Sequence, residues 1–151
     1  MTRSKQAGRG LAVTVAYDVP ADVALDYLAD PVHRPEWQSS LRRVRVLDAG
    51  PAHTGQRWED HTAVGLVAQM RTTELEPGRR WAEVGSWRAI SAELVLELVP
   101  AGAGCEVEAH FRVRGRGALA PIGWLATAAA LPAVRADLVR AGRILSEREH
   151  P

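Results

Sequence analysis

From Arg42 to Arg114 the sequence reads as one strand after another, with no stretch of helical periodicity between them. The alternation predicts strands around Val44 and Val46, then over Gln56–Val64, Leu66–Glu76, Arg80–Arg88, Ser91–Val99 and Glu106–Arg114. Turn residues separate them: Ala49-Gly50-Pro51, Gly65, Pro77-Gly78, and the run Pro100 to Gly104. The last two strands show both faces of the sheet. Leu94, Leu96 and Leu98 share one side, as do Val107, Ala109, Phe111 and Val113. Glu93, Glu97, Glu108, His110 and Arg112 fall on the other, so one face is dry and one is wet.

A sheet with one dry face needs a cover. Leu11, Val13, Val15 and Tyr17 add a seventh strand ahead of the six, closed by Val19-Pro20. Val23, Leu25, Tyr27 and Leu28 predict a short helix over Ala21–Ala29, which Asp30-Pro31 ends. A second short helix is expected over His33–Leu41, with Trp37 and Leu41 one turn apart. Only the region from Leu119 to about Glu149 is long enough to cross the sheet, and Val134, Leu138, Ala141 and Leu145 form its apolar stripe. Pro132 should kink it or break it near Ala130–Leu131. A twisted sheet cannot touch one helix everywhere, so a cavity is expected at one end, with the two short helices as a lid.

The 151 residues suffice for one domain with a sizeable core, and residues 1–10 read as a disordered basic tail before a single domain over 11–149. The formal charge of +1 gives no net field to recruit nucleic acid. Of the 19 basic residues only Lys5 is lysine. The single cysteine, Cys105, excludes an internal disulfide and fits a reducing, cytoplasmic setting. Arg3, Lys5 and Arg9 before Leu11–Tyr17 faintly imitate a secretory leader, but Asp18 closes a short apolar run and no cleavage site follows. Gly117–Val134 carries no charge, yet it is mostly alanine with Pro121 and Pro132, so a buried helix is expected rather than a membrane span. No membrane or nucleic-acid partner is expected, and the chain is read as a monomer or homodimer.

Several pieces, in order along almost the whole chain, carry a resemblance. They are Tyr17-Asp18-Val19-Pro20, the run from Ala21 to Pro31, Pro35-Glu36-Trp37, Gly55 with Trp58, the run from Glu74 to Trp81, and Arg135 to Leu138. Together they make the chain, from about Leu11 to Glu147, similar to the START-like (SRPBCC) superfamily, in its polyketide cyclase/dehydrase and lipid-transport family. The resemblance implies an α+β helix-grip fold, a seven-stranded curved antiparallel sheet around a long C-terminal helix with two short lid helices. It also implies a small hydrophobic ligand, polyketide-like or aromatic, without implying one activity, because such proteins cyclise, hydrolyse, transport or merely bind.

Strand parity names the candidates. If Trp58 points inward, so do Asp60 and Thr62; Thr72 brings Met70 and Ala68; Trp81 brings Glu83, Gly85 and Trp87. Asp60 and Glu83 are the candidate catalytic residues, since a carboxylate on a dry face has its pKa raised toward the range of a general acid or base. The bland alternative is that they pair with an arginine such as Arg57, Arg71 or Arg88. Trp58, Trp81 and Trp87 are the ligand-facing aromatics, with Thr62, Met70 and Phe111 beside them; Trp37 fits the core as well as the ligand, and His33 could reach the cavity mouth. His33, His53, His61, His110 and His150 show no metal-ligand spacing, and no phosphate loop or nucleotide fingerprint is present, so neither metal nor cofactor is expected. A one-residue slip would exchange Asp60 for His61. The preferred function is a cyclase, aromatase or dehydratase; the alternatives are a non-catalytic carrier of a hydrophobic metabolite and a protein-interaction module.

Overall fold

A computed structural model describes residues 11–150. Strand β1 (Leu11–Tyr17) leads into helix α1 (Ala21–Ala29), a short 3-10 turn (Pro31–His33) and the one-turn helix α2 (Arg34–Trp37). Strands β2 (Leu41–Val46), β3 (Arg57–Thr62), β4 (Val67–Glu76), β5 (Arg80–Trp87), β6 (Ile90–Ala101) and β7 (Gly104–Gly115) follow, then a 3-10 turn (Gly117–Leu119) and helix α3 (Ala120–Glu149). The strands form one antiparallel sheet in the order β1-β7-β6-β5-β4-β3-β2, a meander to which β1 adds along the free edge of β7. This is the helix-grip architecture the sequence implies.

The two faces are as unequal as the alternation requires. Trp58, Trp81, Leu96, Leu98, Val107 and Ala109 are buried with Leu138, Ala141 and Leu145 of α3 and Leu25 and Leu28 of α1 in one core. Burying each large aliphatic side chain contributes roughly 1.5–3 kcal/mol. Tyr17 fixes the helix to the sheet: its hydroxyl donates to the Leu138 carbonyl at 2.6 Å, and its ring lies where a Cβ on Gly142 would come within 2.8 Å. Among the described residues, the β1–β7 pairing runs from Leu11, opposite Phe111, to Tyr17, opposite Cys105. At Val113 a side chain of α3 makes contact with β7. There the Thr127 hydroxyl accepts from the Val113 N–H at 2.8 Å, and Gly123 lets the helix approach. A side chain on α3 thus satisfies a backbone donor of the sheet.

Three local expectations change. The second short helix stops at Trp37 instead of reaching Leu41, because Gln38 turns extended, Ser39 donates to Asp137 through both its N–H and its hydroxyl, and Leu41 opens β2. Helix α3 runs through Pro132 without a break. Its first half, expected to be a buried helix, is mixed among the described side chains: Thr127 is buried but Leu125 is 62 % exposed, and no helix among the described residues is long and apolar enough to cross a membrane. The expected basic tail lies outside the described residues.

A bulge in β4 sets the inner face at its far end. Thr72 pairs with Glu83 and Glu74 with Ala82, so Thr73 is the extra residue and Leu75, not Glu74, comes opposite Trp81 on the inside.

Candidate functional site

Helix α3 packs chiefly on β7 and β1. The inner face of β3–β6 is therefore covered unevenly. Toward the ends of the strands near Tyr17 it is sealed by α1 and the second half of α3. At the opposite end Val44, Met70, Trp87, Leu94, Phe111 and Val113 keep partial exposure. These apolar side chains share the inner face and form its half-open end, referred to below as the trough.

Where sealed core meets trough, three ionisable side chains converge. Asp60 of β3 and Glu83 of β5 point inward by strand parity, and Arg34 comes down on them from α2. Arg34 Nη1 donates to Glu83 Oε2 at 2.8 Å. Its Nη2 donates to Asp60 Oδ2 at 2.9 Å and to Glu83 Oε1 at 3.2 Å. The indole N–H of Trp58 supplies the remaining Asp60 oxygen at 3.1 Å. The guanidinium carbon also sits 5.3 Å from the Trp58 ring centre and 5.9 Å from that of Trp37, within cation–π range. Arg34, the largest charged group in the core, is 1 % exposed.

The local sequence explains how α2 delivers this arginine. Asp30 leaves α1 in an extended conformation, as a residue before proline must, and its carboxylate caps the Val32 N–H at 3.0 Å. That turn and the following single helical turn aim Arg34 and Trp37 at the sheet.

The electrostatics follow from one cation facing two anions in a dry site. Burial pushes the Glu83 carboxyl up to about 7; Arg34 opposes the rise and Asp60 adds to it. The two carboxylates outweigh the desolvation of Arg34 and hold it above its ordinary value, so it stays charged. Near neutrality the triad can take up or release one proton, at Glu83.

The remaining candidates separate into groups. Trp58 and Trp81 are fully enclosed, Trp81 donating to the Thr72 hydroxyl at 3.2 Å, and Trp37 is nearly so; all three belong to the core behind the triad. Trp87, Met70 and Phe111 border the trough, with Met70 folded over Gly85. Thr62 shares the inner side, but its hydroxyl accepts from the Leu66 N–H and closes the β3–β4 turn. His33, expected near the mouth, lies elsewhere: it bonds Glu36 at 2.7 Å and stacks on Tyr27 at 4.9 Å, beside Arg148 near the end of α3. His61 points outward and meets Glu59 at 3.2 Å. The partner of the two acids is none of the arginines weighed from sequence; Arg57 instead binds Asp48. The signal for Arg34 is its place immediately before Pro35-Glu36-Trp37. A shallow groove of about 240 Å³ is bordered by Leu47, Arg57, Gln69, Arg71, Val84 and Ser86, with Met70 and Gly85 also in its lining. No cluster among the described residues has the composition to hold a metal ion.

Residues 10–147 match the family model described as polyketide cyclase / dehydrase and lipid transport. Among solved structures, the chain is similar to the di-domain ARO/CYC BexL from the BE-7585A biosynthetic pathway, at TM-score 0.74 and 17% identity over 93% of this chain and 47% of that one. It is also similar to the di-domain ARO/CYC StfQ from the steffimycin pathway, at TM-score 0.72 and 16% identity over 93% and 51%. The chain spans about half of each. A protein of Deinococcus radiodurans aligns at TM-score 0.61 and 23% identity over 87% and 92%. No curated protein matches the sequence.

Proposed function

The chain belongs to the polyketide cyclase / dehydrase and lipid transport family, and from that premise we propose that it binds a small hydrophobic molecule, polyketide-like or aromatic, in the trough. The observation that carries this is the contrast along one face: apolar side chains are sealed at one end and left partly open at the other, around Phe111, Leu94 and Trp87. Apolar surface of that kind is stabilised by a ligand that removes it from water. The Arg34 Nε is buried with no acceptor among the described residues, a donor left over for an oxygen of a ligand that reaches the triad.

Carriage is the reading this geometry favours. Three of the four Asp60 and Glu83 oxygens bond Arg34 and the fourth bonds Trp58, which leaves the acids poor bases toward a ligand. One observation supports the second reading, a cyclase or dehydratase: Glu83 is poised near 7, the range in which a carboxyl gives and takes protons at physiological pH. In that reading Glu83 transfers the proton, and Arg34 with Asp60 sets its pKa.

Titration with a fluorescent naphthalene probe tests the first proposal. Phe111→Arg should weaken probe binding at least tenfold; equal affinity in both proteins refutes the trough. Glu83→Gln and Asp60→Asn then divide the two readings. Probe binding survives in both under either reading, and loss of turnover on a poly-β-ketone mimic establishes chemistry.

A further inference from the structure

We propose that the open end of the sheet is a docking face for an anionic lipid bilayer. Strand register places the β3–β4 turn, the β5–β6 turn and the start of α3 at this same end. Trp87 pairs with Ile90 and Ile90 with Gly115, while the Arg116 N–H donates to the Ala89 carbonyl at 3.0 Å. Aliphatic side chains project from this end: Val64 is 82 % exposed and Leu125 62 %. Turn tips ordinarily carry polar residues, so an exposed valine at one is informative.

Charge completes the pattern. Arg88, Arg114 and Arg116 are exposed at the same end, and among the described residues none of them has a carboxylate partner. The three stretches that build the end, residues 61–73, 84–92 and 109–136, contain no aspartate or glutamate. Scattered exposed aliphatics are ordinary, but aliphatics at an end that carries unpaired arginines and no acids match a surface of acyl chains beneath phosphate groups. A nucleic acid or an acidic protein would be met by the arginines alone and would gain nothing from Val64 and Leu125. Surface docking of this kind needs no membrane-spanning helix and stands whether or not the trough holds a ligand, although docking would bring the trough mouth against the lipid.

The experiment is co-sedimentation of the full chain with phosphatidylcholine vesicles, with and without about one-third phosphatidylserine, at low and high salt. Binding is expected only with phosphatidylserine and should weaken as salt rises. Each arginine near such a surface is worth about fivefold in affinity, so Arg114→Glu with Arg116→Glu should reduce binding by about 25-fold or more. Val64→Ser with Leu125→Ser should also weaken vesicle binding while leaving retention on heparin unchanged. All four positions are exposed, and an unchanged thermal melt confirms folding. Two results overturn the proposal. One is sedimentation no greater with phosphatidylserine than without. The other is full vesicle binding by the serine variant, which would mean that the face reads charge alone and serves an acidic protein or nucleic acid.

Discussion

Replacing Glu83 with glutamine removes the carboxylate that burial holds at about 7, against an ordinary value of 4.5. In the unfolded chain that group loses its proton near 4.5; in the folded chain it keeps it until about 7. Between those values the native state binds a proton that the unfolded state has released, so the free energy of unfolding falls as pH rises. The slope is about 1.4 kcal/mol per pH unit, which over the interval amounts to roughly 3 kcal/mol. That contribution is fully present below pH 4.5 and gone above about 7. Glu36, Asp48 and Glu59 have depressed pKa values and act with the opposite sign, their stabilisation disappearing as pH falls. The parent curve alone therefore mixes both effects, and the difference between parent and Glu83→Gln isolates one. Urea unfolding followed by circular dichroism from about pH 5 to 8 gives that difference. The parent should lose roughly 3 kcal/mol relative to the variant across the window, most of it before pH 7. Curves that run parallel within about 0.5 kcal/mol would mean that Arg34 outweighs burial and that Glu83 is ionised throughout.

Arg34→Met strands two buried carboxylates beside each other and should cost about 3–5 kcal/mol at pH 8 in the same assay. Adding Asp60→Asn and Glu83→Gln to it should recover most of the loss, and a single variant as stable as the parent would show that the triad holds nothing together. Thr127→Val leaves the half-buried Val113 N–H without its acceptor; about 1 kcal/mol of stability should go, with faster hydrogen exchange at that amide, and an unchanged exchange rate contradicts the bridging role. Gly85→Ala brings a Cβ within 2.5 Å of the Met70 sulfur, which is flexible enough to move away into the trough. Stability should change by under about 1.5 kcal/mol while probe affinity drops severalfold; undiminished affinity would place Met70 outside the binding region.

The period of two is what makes most of this legible before any coordinates. Trp58 and Asp60, or Trp81 and Glu83, share a face because alternate residues of a strand must. Thr73 shows where that rule ends. Strict alternation from Thr72 would send Glu74 inward, and only a bulge, whose cause lies in pairing with two neighbours, brings Leu75 there instead. Arg34 is harder still. Arginine is a surface residue by default, and the direction of a one-turn helix depends on the Asp30-Pro31 turn, not on any periodicity of its own. The alanine-rich start of α3 misleads for a related reason: lack of charge means that burial is permitted, not that a partner is present. Thr127 escapes sequence reasoning altogether, since a threonine in an alanine-rich helix gives no sign that its hydroxyl meets the Val113 N–H of a strand fourteen residues earlier.

The uneven fastening of the cover has a kinetic consequence. Lifting α2 would pull a guanidinium out of two carboxylates, and opening the second half of α3 would strip Tyr17 from Leu138 and Gly142. Among the described side chains, the first turns of α3 meet β7 at Val113 through the Thr127 hydroxyl and the close approach at Gly123. Traffic into and out of the fold should therefore pass under that end of the helix, and its rate should follow the breathing of the Thr127 contact, leaving residence time adjustable without altering a residue that touches the guest.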